Sequence, residues 1–209
     1  MQIVGIVVAG GVGSRLGDGR PKQLQSLGGK RILDRSVEAI AAASHAVVVV
    51  AHPELLSDHQ SECADLVVAG GATRADSVRA GLAAAEQFEP THVLIHDAAR
   101  PAVPEAVIDR VVDALGEGNR AVVPVVPVTD SLRHVDGGAV DRTRFKAAQT
   151  PQGFEYDLVI RAHDSGADAT DDASLVDALG EPVVHVDGDP RNIKITVAAD
   201  LALAEILLR

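Results

Sequence analysis

Six of the nineteen basic residues in this chain fall between positions 15 and 35: Arg15, Arg20, Lys22, Lys30, Arg31 and Arg35. Only Asp18 and Asp34 oppose them there, in a protein whose net charge is −11. The run begins on the glycine-rich turn AGGVGSRLG, Ala9 to Gly17, directly after the apolar stretch Ile3 to Val8. A strand feeding such a turn presents backbone N–H groups, and cations beside it make a seat for a polyanion. The chemistry this pattern suggests is phosphate binding.

The elements that must hold the seat are legible in the hydrophobic pattern. Ile3 to Ala9, Ala46 to Ala51, Ala64 to Ala69, His92 to His96 and Ala121 to Val125 are near-continuous apolar runs rich in Val and Ile. Strands buried on both faces of a parallel sheet have this composition. Between them, Ile32 to Ala43, Ala75 to Glu86 and Glu105 to Leu115 have helical spacing, the last opened by Pro104. The alternation predicts an α/β fold: a mostly parallel twisted sheet with helices on both faces. From about Pro127 to Gln149 the alternation stops. Gly137 and Gly138 there lie between SLRHV and AVDRT, which reads as a hairpin or projecting β-arm able to reach a second subunit. The chain closes with VVHVDGD, NIKITV and a helical pattern from Ala198 to Leu208.

Ligands of an open parallel sheet sit beyond the carboxyl ends of its strands. Four loops meet that description: AGGVGSRLG, AGGATRADS, HDAARP and PVTDS. Each alone also reads as ordinary turn chemistry, whereas four at one sheet edge point to a site. Familiar phosphate motifs do not fit. After Gly11 and Gly13 a dinucleotide fingerprint needs glycine at the place of Leu16, and Ala51 is followed by His52 and Pro53 rather than a ribose-binding acid. The G-x-x-x-x-G-K-[ST] phosphate loop is also missing.

A chain of 209 residues, 46% hydrophobic, has material for one sizeable core, so residues 1–209 read as a single domain. The lone cysteine, Cys63, cannot form an internal disulfide and reads as a small core residue. The first apolar run reaches Gly10 and Gly11 too soon for a membrane span or signal peptide. The expectation is a cytoplasmic protein without a membrane partner. The excess of negative charge disfavours nucleic acid, whose affinity depends on phosphate neutralisation. His45, His52 and His59 recur every seven residues, but Pro53 interrupts them, so they read as structural or exposed. His96 reads as a buried, satisfied neighbour of Asp97.

Taken in order, AGGVGSRLG, PKQ (Pro21 to Gln23), RADSV (Arg74 to Val78), HDAARP (His96 to Pro101), TPQGF (Thr150 to Phe154), TDDAS (Thr170 to Ser174) and NIKIT (Asn192 to Thr196) strongly resemble 2-C-methyl-D-erythritol 4-phosphate cytidylyltransferases. The resemblance runs from the first strand to the last helix. It implies a Rossmann-like nucleotidyltransferase fold, CTP and a polyol phosphate as substrates, a magnesium or other divalent cation, and a homodimer formed through the β-arm. It also implies the reaction: cytidylyl transfer from CTP to 2-C-methyl-D-erythritol 4-phosphate in nonmevalonate isoprenoid precursor synthesis. A cytidylyltransferase for another polyol phosphate, such as ribitol 5-phosphate, and a noncatalytic nucleotide-binding module are the alternatives.

The resemblance assigns tasks to particular residues. Arg15, Lys22 and Lys194 hold the triphosphate and stabilise charge at the reacting phosphorus; the chain has only four lysines. Ala9, Gly10, Gly11, Gly13, Gly71 and Ser77 surround the nucleotide. Ser131, Arg142 and Thr150 bind the acceptor, with Arg142 reaching the neighbouring subunit's site. Asp97 is the leading metal ligand. The family carries an aspartate directly before N-I-K, where this chain has Arg191, so Asp189 stands as the second candidate ligand. The family often has an acid where Ala72 stands. Such a reaction needs alignment and charge stabilisation rather than a general base, because the attacking phosphate oxygen is already anionic.

Overall fold

The computed structural model describes residues 1–11, 21–164, 166 and 170–208. β1 (Ile3–Ala9) is an interior strand of the main sheet. After it come a two-stranded ribbon, β2 (Ser26–Leu27) and β3 (Lys30–Arg31), then α1 (Ile32–Ala41) and the neighbouring strand β4 (Ala46–Ala51). The edge strand β5 (Leu66–Ala69) leads to α2 (Arg74–Ala85) and back to β6 (His92–Asp97) on the other side of β1. α3 (Glu105–Gly116) connects to β7 (Ala121–Pro127). The remaining elements are β8 (Lys146–Ala148), β9 (Gln152–Glu155), α4 (Tyr156–His163), α5 (Ala173–Ala178), β10 (Val184–Asp187) and α6 (Ala198–Leu207).

The eight-stranded sheet runs β10-β7-β9-β6-β1-β4-β5, with β8 paired to β7 off this path. Pairings β5·β4, β4·β1, β1·β6 and β7·β10 are parallel. β9 is antiparallel to both β6 and β7 and fills the space between them. Side chains alternate across the strands, so both faces are apolar. Val4 and Ile6 meet Val78 and Leu82 of α2, with Leu158 and Val176 of α4 and α5 in the same layer. Ile3 and Val7 face Leu33 and Val37 of α1 and Val107 and Val111 of α3. Truncating a side chain as buried as Leu82, 1% exposed, to alanine costs about 2–5 kcal/mol.

Several expectations change. The third strand starts at Leu66 rather than Ala64, because Ala64 is spent in a turn onto Ser61 and Asp65 accepts the Val47 N–H. Cys63 is exposed in that connection rather than buried, since the residues around it never enter the sheet. β9, α4 and α5 are additions to the expected elements; each is short and follows the interrupted segment. Residues 127 to 149 do leave the sheet. A bridge between Arg133 and Ala139 closes a hairpin, with Gly137 and Gly138 at φ of 100° and 89° in its turn. Such positive φ values favour glycine. The return strand β8 pairs antiparallel with β7. Among the described residues no helix is long and apolar enough to cross a membrane.

Candidate active site

The cleft opens where β1, β5 and β6 end. α2 fixes one wall. Thr73 Oγ1 accepts the Asp76 N–H at 3.1 Å while Asp76 Oδ2 accepts the Thr73 N–H at 3.1 Å, a reciprocal cap that starts the helix at Arg74. A Cβ at Gly71 would fall 2.2 Å from Asp76 Cβ, so this cap alone demands glycine there. Ser77 does not cap the helix. Its hydroxyl donates to Thr73 O at 2.9 Å and accepts from Gly71 N at 3.2 Å, tying the strand exit to the first helical turn.

Gln23 sets the opposite wall, and nothing in the sequence singles it out beyond its place beside Lys22. It is 2% exposed, and its amide nitrogen donates to Ala9 O at 2.6 Å and Gly11 O at 2.9 Å. The exit of β1 is thereby held to the segment that carries Lys22. Lys22 Nζ donates to Ile195 O at 2.7 Å. Ile195 N donates in turn to Ala99 O at 2.8 Å, and its buried side chain packs with Leu27, Ile32 and Ala204. Asn192 Nδ2 donates to Thr150 O at 2.8 Å, and Arg100 Nη1 to Asn192 O at 2.7 Å. These bonds bring the NIKIT segment across the strand ends and place Lys194 in the cleft.

Asp97, at the end of β6, is the centre of charge. Lys194 Nζ lies 2.8 Å from it, Arg74 Nε 3.5 Å and Arg100 Nε 3.8 Å. Burial pushes its pKa up, but Lys194, Arg74 and Arg100 more than offset this and hold the carboxyl well below the usual range. It is the one acid lining the cleft among the described residues. Behind it, Asp97 N donates to Thr150 Oγ1 at 3.1 Å, and that hydroxyl lies 3.0 Å from His96 Nδ1. His96 Nε2 lies 3.2 Å from Arg100 O, an acceptor only, so Nε2 carries the proton and Nδ1 accepts from Thr150. Burial first, outweighing the pull of Asp97, pushes the His96 pKa down to about 4, consistent with this neutral tautomer.

Of the residues singled out from sequence, Ala9, Gly10, Gly11, Lys22, Gly71, Ser77, Asp97 and Lys194 line one cleft. Gly13 and Arg15 lie outside the described residues. Thr150 is buried beneath the cleft, with its hydroxyl engaged by Asp97 and His96. The PVTDS loop does not join the cleft; Ser131 and Arg142 are exposed on the arm, where Arg142 Nη1 donates to Thr129 O. Asp189 does not reach the cleft either: its carboxylate is taken by Arg191, whose Nη2 is 2.7 Å away.

The six-cation seat also needs correction. Lys30 pairs with Glu38, Arg31 forks onto Asp34 and donates to Asp58 O and Gln60 O, and Arg35 donates to Leu27 O and Gly28 O. These three stabilise the β2–β3 ribbon and its surroundings, leaving Lys22 as the described member of the group that lines the cleft. Arg74, Arg100, Asp172 and Asn192 support the site without a task assigned from sequence, although each sits inside one of the quoted motifs.

A glycine-lined exit from an interior parallel strand, where two lysines from opposite ends of the chain meet a carboxylate from its middle, defines a nucleotidyltransferase of the α/β type. The profile of the 2-C-methyl-D-erythritol 4-phosphate cytidylyltransferase family matches residues 3–209, and the chain belongs to this family. It is 45% identical to the 2-C-methyl-D-erythritol 4-phosphate cytidylyltransferase of Rhodococcus jostii, over 99% of this chain and 95% of that one. The Saccharopolyspora erythraea enzyme of the same name is 44% identical, with both chains covered over 100% of their length. The crystal structure of the Thermus thermophilus enzyme superposes with a TM-score of 0.84 at 35% identity, covering 99% of this chain and 98% of that one.

Proposed function

We propose that this protein transfers a cytidylyl group from CTP to 2-C-methyl-D-erythritol 4-phosphate. An oxygen of the acceptor phosphate attacks the α-phosphorus of CTP; a new P–O bond forms, the bond to the β-phosphate bridge breaks, and pyrophosphate leaves. No proton need move. The carrying observation is the meeting of Lys22 and Lys194 at one cleft beside Asp97 in a member of this family. The two ammonium groups stabilise charge that develops on the phosphoryl oxygens and leaving pyrophosphate. The exit of β1, held by Gln23, and the Gly71–Ser77 wall supply the close backbone approach that a pyrimidine edge requires.

Magnesium fits the donor set in a limited way. The cleft offers one carboxylate, Asp97, and magnesium is commonly held by one or two carboxylates together with substrate phosphates. Asp97 would hold the ion that arrives with CTP, and the ion would neutralise phosphate charge. Lys194, whose side chain is 41% exposed, is the partner able to exchange Asp97 for a phosphate.

The reading includes a homodimer in the cytoplasm. Ser131 and Arg142 stand on an exposed arm away from their own cleft, and Val135 and Phe145 on that arm are 95% and 49% exposed. Arg142 then serves the acceptor phosphate in the neighbouring subunit, where its planar donors suit bidentate binding. The test is turnover with CTP, magnesium and a panel of polyol phosphates, followed by pyrophosphate release. Turnover with methylerythritol phosphate well above that with ribitol 5-phosphate supports the assignment; the reverse order, or no turnover, refutes it.

A further inference from the structure

Arg74 of the RADSV motif and Asp172 of TDDAS have no task in the reaction as described, yet they meet inside the molecule. Arg74, at the start of α2, and Asp172, just before α5, stand 98 residues apart and pair through Nη2 and Oδ2 at 2.8 Å. The Asp172 side chain is 1% exposed, and its other oxygen lies 3.2 Å from Nε2 of the likewise buried His163. Burial raises the Asp172 pKa, but the hydrogen bond from His163 and the charge of Arg74 outweigh this and hold it below the ordinary value. Asp172 is therefore a buried anion paired with Arg74, a residue of the cleft wall.

Arg74 also borders Asp97, but loosely. Its Nε lies 3.5 Å from Asp97 Oδ1, at the outer edge of hydrogen bonding, and its buried Nη1 has no hydrogen-bond partner among the described residues. A guanidinium favours two parallel bonds to one carboxylate. Asp97 and Asp172 thus compete for one fork, and Asp172 has the short bond. The distinction matters because the two cations nearest Asp97 differ in freedom. The Lys194 side chain is 41% exposed and the Arg74 side chain 21%. An ammonium on a half-exposed stem exchanges partners readily, whereas a guanidinium that closed two bonds onto Asp97 would not.

We propose that Asp172 is a positioning residue for the transferase: it holds the Arg74 fork off Asp97, so that Asp97 keeps one exchangeable close partner, Lys194, and stays available to the incoming nucleotide and its cation. This rests on the assignment of Asp97 to the CTP–magnesium site. Without the Asp172 charge, Arg74 closes on Asp97, and Asp97 is withdrawn from the ligand although it is itself unchanged.

The test is Asp172→Asn, which keeps shape and removes charge, read by kcat/KM, by the magnesium concentration giving half-maximal rate, and by calorimetric binding of CTP with magnesium present. Partners behind a ligating carboxylate typically change affinity or activity by about 10- to 100-fold, and a loss of that size in kcat/KM and in CTP affinity is expected. Adding Arg74→Gln to the same chain removes the clamp. The double variant should regain at least about tenfold over Asp172→Asn and need less magnesium. A double variant no better than Asp172→Asn overturns the proposal, because a role confined to packing around α5 predicts no rescue. Unchanged kcat/KM and CTP affinity in Asp172→Asn overturn it as well.

Should Asp172→Asn alone fail to fold, the double variant, which leaves no unpaired buried charge, is compared with Arg74→Gln. Asp172 acts only through Arg74, so the two should agree within a few fold, and a further tenfold loss in the double variant overturns the proposal. A wild-type protein inactive on CTP and every acceptor defeats the cytidylyltransferase assignment instead, and the binding measurements still decide the role of Asp172.

Discussion

Lys194→Ala separates catalytic from structural work in a way the geometry quantifies. The ammonium lies 2.8 Å from Asp97, but on a side chain that is 41% exposed. Ion pairs this accessible contribute up to about 1 kcal/mol to stability. Arg74 and Arg100 remain near Asp97 after the substitution, at 3.5 and 3.8 Å, so the carboxylate keeps its charge and its setting. The NIKIT segment also stays docked, because its anchors are the Ile195 backbone, the Ile195 side chain and Asn192 rather than Lys194. Unfolding in urea should therefore show a loss no greater than about 1 kcal/mol. Removing a donor that acts on developing charge costs about 10² to 10³ in kcat, or roughly 3 to 4 kcal/mol. The assay is steady-state release of pyrophosphate with both substrates varied, run beside the urea titration on the same preparation. Activity within tenfold of wild type, or an activity loss matched by an equal loss of stability, would refute the reasoning.

Asp97→Asn should raise the magnesium concentration needed for turnover and lower the maximal rate, and a superimposable magnesium titration removes Asp97 as the ligand. Mixing Arg142→Ala with Lys22→Ala subunits, each nearly inactive alone, should restore up to about half of the per-dimer activity, since one site then carries both lesions and the other neither; a confirmed heterodimer without recovery excludes Arg142 acting across subunits. The folded-state pKa of His96 is lowered to about 4 from 6.5, so between those values the unfolded chain takes up a proton that the native one refuses. Stability should fall as pH drops through that window, by roughly 3 kcal/mol in total from this residue. The fall should be shallower in His96→Gln, and parallel pH dependences in the two proteins would show that another group is responsible.

The central architecture was readable because its physics is local and repetitive. Fully buried strands such as Ala46–Ala51 must be apolar throughout, and helices such as Glu105–Gly116 must show one apolar face. β9 was not readable: four residues offer too little period, and only its neighbours β6 and β7 make it a strand. The cleft was readable where a residue type is itself unusual, as for the glycines after β1 and the scarce lysines. Charge density misled at Lys30, Arg31 and Arg35, because sequence spacing does not reveal the carbonyls and acids that claim them. It was equally silent on the Arg74–Asp172 pair, whose partners lie 98 residues apart. Thr150 shows a further limit, since nothing in its neighbours tells whether a hydroxyl faces a ligand or supports a backbone amide from beneath.

The bond from Lys22 to the Ile195 carbonyl spans 173 positions, and it makes the order of assembly matter. β1, β4, β5 and β6 form one parallel block, and the two apolar layers that cover it contain no residue from Asn192 to Thr196. A growing chain can fold that block on the ribosome while its cleft still lacks Lys194 and the carbonyl that anchors Lys22. Phosphate-transfer competence therefore arrives late in synthesis, as a final latching step rather than as a gradual gain. By the same logic, a chain ending after β10 would keep both apolar layers and lose Lys194 together with the carbonyl that anchors Lys22, so a folding probe and an activity probe would report different survivors.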